Sequence, residues 1–367
     1  MVRPVKGYGD GRSTLWYVKR PTVRCGRNLI ETTRPFVPES RVRSWWYVLS
    51  TTAVLLACLW GAWQPLFWPF RAALGVTAGL VCVRAFILFH DYMHGAILRG
   101  SKAVRLILYP VSMFLMTPPN VWWETHNYHH AHTAKLVGSH IGSFATMTVQ
   151  QWAEATPQQR LHYRLVRHPL TVVFAYFTIF MLDMCLMSFL RSPRKRWDSL
   201  VGLLANWAAT AFIWYQFGAA TFFFAYFLPV FVATASGAYL FYAQHNFDGL
   251  HIQKREEWAY DRAALQSSSY MKTGPVMAWF TGNIGYHHVH HLNPTIPFYR
   301  LPEAMAAIPE LQNPGVTRLR PREIAANFRM KLWDPQQGRM VGYPRLPPTL
   351  TGSPAREQSA AGPAPSA

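Results

Sequence analysis

The chain has 367 residues, half of them hydrophobic, 15% aromatic and only 14% charged, whereas roughly a quarter of an average soluble domain is charged, so an ordinary soluble enzyme is excluded. A mean hydropathy of only +0.02 requires the apolar residues to be gathered in blocks with polar stretches between them. The net charge of +19 points to nucleic acid or an anionic membrane surface, and the apolar blocks, with no zinc-finger spacing, RNP motif or basic zipper in the sequence, leave the membrane and exclude a nucleic-acid partner.

In chain order, residues 1–44 form a basic tail with ten Lys or Arg and three acids, too long and too charged for a cleaved signal peptide. Residues 46–68 and 71–89 are apolar runs long enough to cross a hydrocarbon core of ~30 Å and read as a helical hairpin. With the basic tail cytoplasmic, the second run returns the chain to the cytoplasm at His90. Residues 104–116 are apolar but short and stop at Pro118-Pro119, which suits an interfacial or re-entrant piece.

Three longer runs follow, 170–190, 199–217 and 219–240. The first carries Asp183 in its interior and ends at Arg191-Ser-Pro-Arg-Lys-Arg196, a cluster that the positive-inside rule keeps cytoplasmic. It is therefore expected to lie at the interface, while the next two cross and return. The expected architecture is all-α: about four transmembrane helices, interfacial helices and a cytoplasmic helical cap. The domains expected are the tail 1–44, a membrane domain 45–305, a cytoplasmic segment 306–342 and a flexible Pro/Ala/Ser/Gly-rich end at 343–367. Cys25, Cys58, Cys82 and Cys185 have no CxxC spacing and imply neither a disulfide framework nor a zinc site.

Histidine carries the chemistry. Nine of the 15 fall in three boxes, His90-Asp-Tyr-Met-His94, His126-Asn-Tyr-His129-His130 and His287-His-Val-His290-His291, each beside an apolar block rather than inside one. Residues i, i+3 and i+4 share a helix face, so each box directs two or three imidazoles together: His90 and His94; His126, His129 and His130; His287, His290 and His291. One zinc-like site takes about four ligands, so eight convergent imidazoles imply a two-metal centre, and ligand type leaves zinc, copper, iron and nickel open. His288 faces away from its neighbours and is expected to support rather than ligate. His132 is placed equally well as an extension of the second box or as a surface group, and His140, His162, His168 and His251 read as polar interfacial residues. Asp91, Glu124 and Asp248 sit beside candidate ligands, where each reads equally well as the acceptor of a second ring N–H or as a solvated carboxylate. A carboxylate-bridged di-iron bundle is excluded, because it needs Glu-x-x-His pairs and the sequence has none.

These boxes, with Gln244-His-Asn-Phe-Asp248 and Trp279-Phe-Thr-Gly-Asn-Ile-Gly-Tyr-His-His-Val-His-His-Leu292, resemble the integral-membrane fatty acid desaturases, most closely the bacterial acyl-lipid branch, over about residues 45–305. The resemblance implies two non-haem iron ions held by the box histidines and by a histidine outside them, here His245, with O2 as co-substrate. It also implies a membrane lipid or acyl-chain substrate and a place in the bacterial inner membrane, with the site facing the cytoplasm. A saturated methylene has no acidic proton or leaving group, so metal and O2 must carry its oxidation. No Rossmann fingerprint, cysteine cluster or fused haem motif is present in the sequence, so electrons are expected from a separate donor protein such as a ferredoxin, drawn to the basic face. Two alternatives are a hydroxylase or ketolase on the same scaffold and a metal transporter. Transporters place their ligands near the bilayer midplane, whereas these boxes sit at the ends of apolar runs.

Overall fold

The computed structural model describes residues 24–136, 141–254 and 256–344. The first 23 residues, His140 and the Pro/Ala/Ser/Gly-rich end beyond residue 344 lie outside that set. The fold is helical throughout, with two two-stranded ribbons as minor additions: Tyr270–Met271 beside Val316–Thr317, and Leu332–Asp334 beside Arg339–Val341.

Among the described residues three helices are long and apolar enough to cross a membrane, Arg41–Trp63, Trp68–Met93 and Trp197–Gln244, which marks a membrane protein. The first opens on a Ser40 cap, whose hydroxyl accepts from the Arg43 N–H, and stops at Gln64-Pro65, so the chain turns within a few residues. The second begins with Trp68-Pro69, a proline where its missing N–H costs nothing. At 48 residues the third would reach about 72 Å if straight, more than twice the core thickness. It is not straight. Gly218 adopts φ 81° and ψ 165°, a conformation open to glycine, and the two halves fold back on each other. Asn206 Nδ2 donates to Tyr226 Oη at 2.9 Å, although 20 residues of continuous helix would hold them about 30 Å apart. The runs 199–217 and 219–240 thus form a second hairpin.

Trp63 lies against Phe217, with ring centroids 4.6 Å apart, so both hairpin turns sit at one end of the bundle. Trp60, Phe67, Trp68, Trp214 and Tyr215 are exposed there, a belt of amphipathic rings of the kind found at a membrane–water interface.

The helices are joined by close backbone approach. A Cβ at Gly75 would meet the Phe224 carbonyl oxygen at 2.6 Å, and one at Gly79 would meet Val232 Cβ at 2.6 Å and the Pro229 oxygen at 2.8 Å. In lipid, where apolar surface gives little drive for association, small residues that permit such contact hold helices together. Gly79→Leu is expected to destabilise the protein by about 1–3 kcal/mol through overpacking, read as a lower melting temperature in detergent; an unchanged melt would show that this contact contributes nothing.

The apolar run 170–190 is mostly a wide helical coil, Tyr176–Met187. At its start Val172 and Ala175 pack on Ala238 and Tyr242, just before His245. After its end Lys195 and Arg196 pair with Glu124, two residues before His126. It therefore starts and finishes at the histidine end of the bundle. Tyr176 Oη donates to Asn206 Oδ1 at 2.9 Å, which ties the first turn of the coil to the second hairpin.

Candidate metal centre

The three boxes approach from separate elements. His90 ends the helix Trp68–Met93 and His94 caps it; His126, His129 and His130 lie on Pro119–His132; His287, His290 and His291 lie on the short helix His287–Leu292. His245 follows directly on the last span. All nine imidazoles meet at the end opposite the hairpin turns, in two groups. His90, His94, His126, His130 and His290 form one; His129, His245, His287 and His291 form the other, with the available donor atoms of each group within 4.8 Å of one another.

Adjacent residues are divided between the groups. Neighbours on a helix point about 100° apart, so His126 and His130, one turn apart, join one group while His129 joins the other. The third box mirrors this, sending His287 and His291 to the second group and His290 to the first. Reading i, i+3 and i+4 as one face is thus too coarse: the i, i+4 pair stays together and the i+3 residue crosses. The two groups touch through His130 and His291, stacked at 4.3 Å.

Within a group the ring nitrogens face one another. His287 Nε2 and His129 Nε2 lie 2.9 and 3.1 Å from His245 Nε2, His291 Nε2 lies 3.1 Å from His287 Nε2, and His130 Nε2 lies 3.0 Å from His126 Nε2 and 3.1 Å from His290 Nε2. Burial, reinforced by the repulsion of neighbouring imidazoles, holds His94, His126, His129, His130, His287, His290 and His291 well below the usual imidazole range; burial, partly offset by the hydrogen bond to the Ser267 carbonyl, pushes His245 down to about 4. The rings are neutral at pH 7, the form in which imidazole binds a metal. His245 Nδ1–H donates to the Ser267 carbonyl at 2.9 Å, which leaves its Nε2 as a bare lone pair aimed at the group.

Such a set cannot satisfy itself. Two facing nitrogens share at most one proton, and His94 Nε2 is buried with no hydrogen-bond partner among the described residues, a position that costs free energy unless something accepts the lone pair. Cis ligands on an ion with bonds of about 2.0–2.1 Å lie about 2.9 Å apart at right angles, close to the separations found. The donor set, all nitrogen, suits a divalent first-row metal.

The surroundings sort the remaining residues. Asp91 is buried, with Oδ1 3.1 Å from His90 Nδ1 and Oδ2 accepting the Phe298 N–H at 2.7 Å, so of its two readings it takes the supporting one, beside His90. Glu124 faces Lys195 and Arg196 instead, and Asp248 is exposed; the salt bridges and the turn after the last span take both away from the imidazoles. His288 donates from Nε2 to the Leu311 carbonyl at 3.0 Å, on the far side of its helix. His132 folds back on its own helix, donating from Nδ1 to the Tyr128 carbonyl. His162, His168 and His251 are exposed.

Two features escaped the sequence reading. Trp122 stacks on His126 at 4.3 Å, one turn before it, a spacing that periodicity offers but composition does not single out. Arg84, buried in the second span, donates from Nε to Thr51 Oγ1 at 3.0 Å and from a terminal nitrogen to the Trp279 carbonyl, and so ties the first hairpin to the segment leading into the third box. Beside the centre lies a cavity of about 300 Å³, with His90, His126 and His287 on its wall and Val83, Phe86 and Phe180 among its apolar lining.

Residues 66–322 match the family model described as fatty acid desaturase. A Bacillus subtilis (strain 168) protein named "Fatty acid desaturase" is 30% identical over 280 residues, covering 74% of this chain and 77% of that protein. A Sorghum bicolor protein named "Probable fatty acid desaturase DES1" is 24% identical over 303 residues, covering 75% and 74%. With its nitrogen-only cluster at the end of a membrane bundle, the chain belongs to the fatty acid desaturase family and is a desaturase enzyme.

Proposed function

We propose that this enzyme introduces a double bond into the acyl chain of a membrane lipid, using O2 and two iron ions. His90, His94, His126, His130 and His290 would hold one ion and His129, His245, His287 and His291 the other. The observation that carries the reading is the meeting of two imidazole groups with one apolar cavity. Iron when bound supplies the oxidising power that no side chain has.

The protein's own part is geometry. His90, His126 and His287 stand on the cavity wall, so a methylene held there lies beside both groups. Asp91 and the Ser267 carbonyl fix the rings of His90 and His245, the outer hydrogen bonds that orient metal ligands. The aromatic and aliphatic walls exclude water and hold the chain in one pose, and positioning on the ångström scale separates removal of two hydrogens from insertion of oxygen. We assign the electrons to a separate acidic carrier of the ferredoxin kind and the site to the cytoplasmic face of a bacterial inner membrane, in keeping with the basic tail.

Expression in a host of defined lipid composition, with gas chromatography and mass spectrometry of its fatty acids, tests this. The expected new product is two hydrogens lighter than its precursor; a product that gains oxygen would make the enzyme a hydroxylase. His245→Ala is expected to lower iron content and product together, because it removes a lone pair from the four-membered group. His251→Ala is expected to change neither, since that ring is exposed and rests on Trp333. Equal effects from both would refute the assignment of His245.

A further inference from the structure

The last span turns a face of small residues to the cavity. Ala233, Thr234, Gly237 and Ala238 line it, followed one turn later by Phe241. Phe241 settles which way this face points, because its ring packs on His129 at 4.9 Å and on His245 at 5.3 Å. Gly237 lies one turn before Phe241 and two before His245, about 12 Å along the helix from that imidazole. A Cβ built at Gly237 meets no atom within 4 Å. Gly75 and Gly79, in contrast, are held by close backbone contact. A helical glycine costs stability relative to alanine, and at position 237 neither φ nor packing demands it. What its missing side chain leaves is space in the cavity.

We infer that Gly237 determines how long an acyl chain this enzyme accepts, by keeping open the part of the cavity that receives hydrocarbon on one side of the reacting carbons. The inference rests on the acyl-chain reading above. Ile179 and Phe180 line the same cavity from the segment 170–190 and pack in the same cluster as Ala238, so a branched side chain at 237 would take up space between the two elements. Polar groups lie elsewhere on the lining, at Ser143 and the exposed Asp183, where a lipid head or ester is more readily solvated. Around Gly237 the lining is small and apolar apart from Thr234, whose hydroxyl donates to the Val230 carbonyl at 2.8 Å, so this stretch takes chain.

The test is a graded series, Gly237→Ala, Gly237→Val and Gly237→Leu, in the full-length enzyme, fed lauroyl, myristoyl, palmitoyl and stearoyl precursors. Each methylene kept out of an apolar site lowers binding about fourfold. Leucine, which would exclude two or more, is expected to lower stearoyl relative to myristoyl desaturation at least about tenfold, with valine between leucine and alanine. Iron content and the melting temperature of each variant are read alongside; iron content should hold, and Gly237→Ala should melt no lower than wild type, because its Cβ meets no atom within 4 Å and a helical glycine is removed. A product profile across chain lengths identical to wild type in a folded, iron-loaded Gly237→Leu overturns the inference, as does an equal loss at every length. If wild-type enzyme itself forms no double bond in any of the four, the underlying functional reading fails instead.

Discussion

Purified from iron-replete cells, the wild-type protein is expected to carry about two iron atoms per chain, and His126→Ala or His290→Ala to abolish desaturation while leaving the protein in the membrane. Losing a hydrogen bond that merely supports a ligand costs about 10- to 100-fold in metal affinity, and losing the ligand itself costs more. His126 and His290 belong to the same group and reach His130 Nε2 from different helices at 3.0 and 3.1 Å, so each removal opens the group on another side. Folding should suffer less than activity, because the spans satisfy their backbone within each helix whether or not metal is present.

A calorimetric comparison sharpens this. Metal that binds only the folded state raises its stability, so chelation should lower the melting temperature of wild type. Without metal His94 Nε2 and His290 Nδ1 are buried with no hydrogen-bond partner among the described residues, and deleting the His290 imidazole relieves part of that cost. The chelated His290→Ala protein is therefore expected to melt no lower than chelated wild type, and to gain little when iron is returned. Full activity in either variant, or a variant that unfolds with and without metal alike, would sink the assignment of these histidines.

The boxes were legible in the sequence because histidine is rare in apolar company and the i, i+4 spacing survives into the helix unchanged. Their division between two groups was not legible. It depends on how Pro119–His132 and His287–Leu292 are rotated against each other, a property of packing that no local pattern carries. The second hairpin was legible in outline, since the runs 199–217 and 219–240 were expected to cross and return; what the sequence did not carry is the Gly218 conformation and the Asn206–Tyr226 bond that fold the two halves together. The supporting residues divide in the same way. Asp91 was found because it adjoins His90, whereas Ser267 supports His245 through a carbonyl, which leaves no trace in residue identity. Glu124 had the right neighbourhood but met Lys195 and Arg196 first. Gly237 carried no signal at all, since the meaning of that glycine is the empty volume beside it.

The second large effect expected is topological. Convergence of nine imidazoles at one end requires an even number of crossings between the second and third boxes, yet three apolar runs lie between them. The run 170–190 should be the one that does not cross. Its Asp183 is 62% exposed and pairs with Arg191 at 3.2 Å, and a carboxylate held at a span centre costs about 2.5–3.5 kcal/mol on insertion scales. Translocating Arg191, Arg194, Lys195 and Arg196 adds a further cost, and Lys195 and Arg196 are held at the histidine end by Glu124. Single cysteines in a background lacking Cys25, Cys58, Cys82 and Cys185 read the outcome with an impermeant thiol reagent applied from outside intact cells. Ser267, attractive by position, is a poor probe because it is 1% exposed and its carbonyl holds His245; Gln312 is exposed and reports the same side. Gln64→Cys, in the turn of the first hairpin, should label, and Ser192→Cys and Gln312→Cys should stay protected until the membrane is opened. Labelling at 192 with protection at 312 would place a crossing in 170–190 and remove one from the second hairpin, against the Asn206–Tyr226 bond that folds that hairpin back on itself.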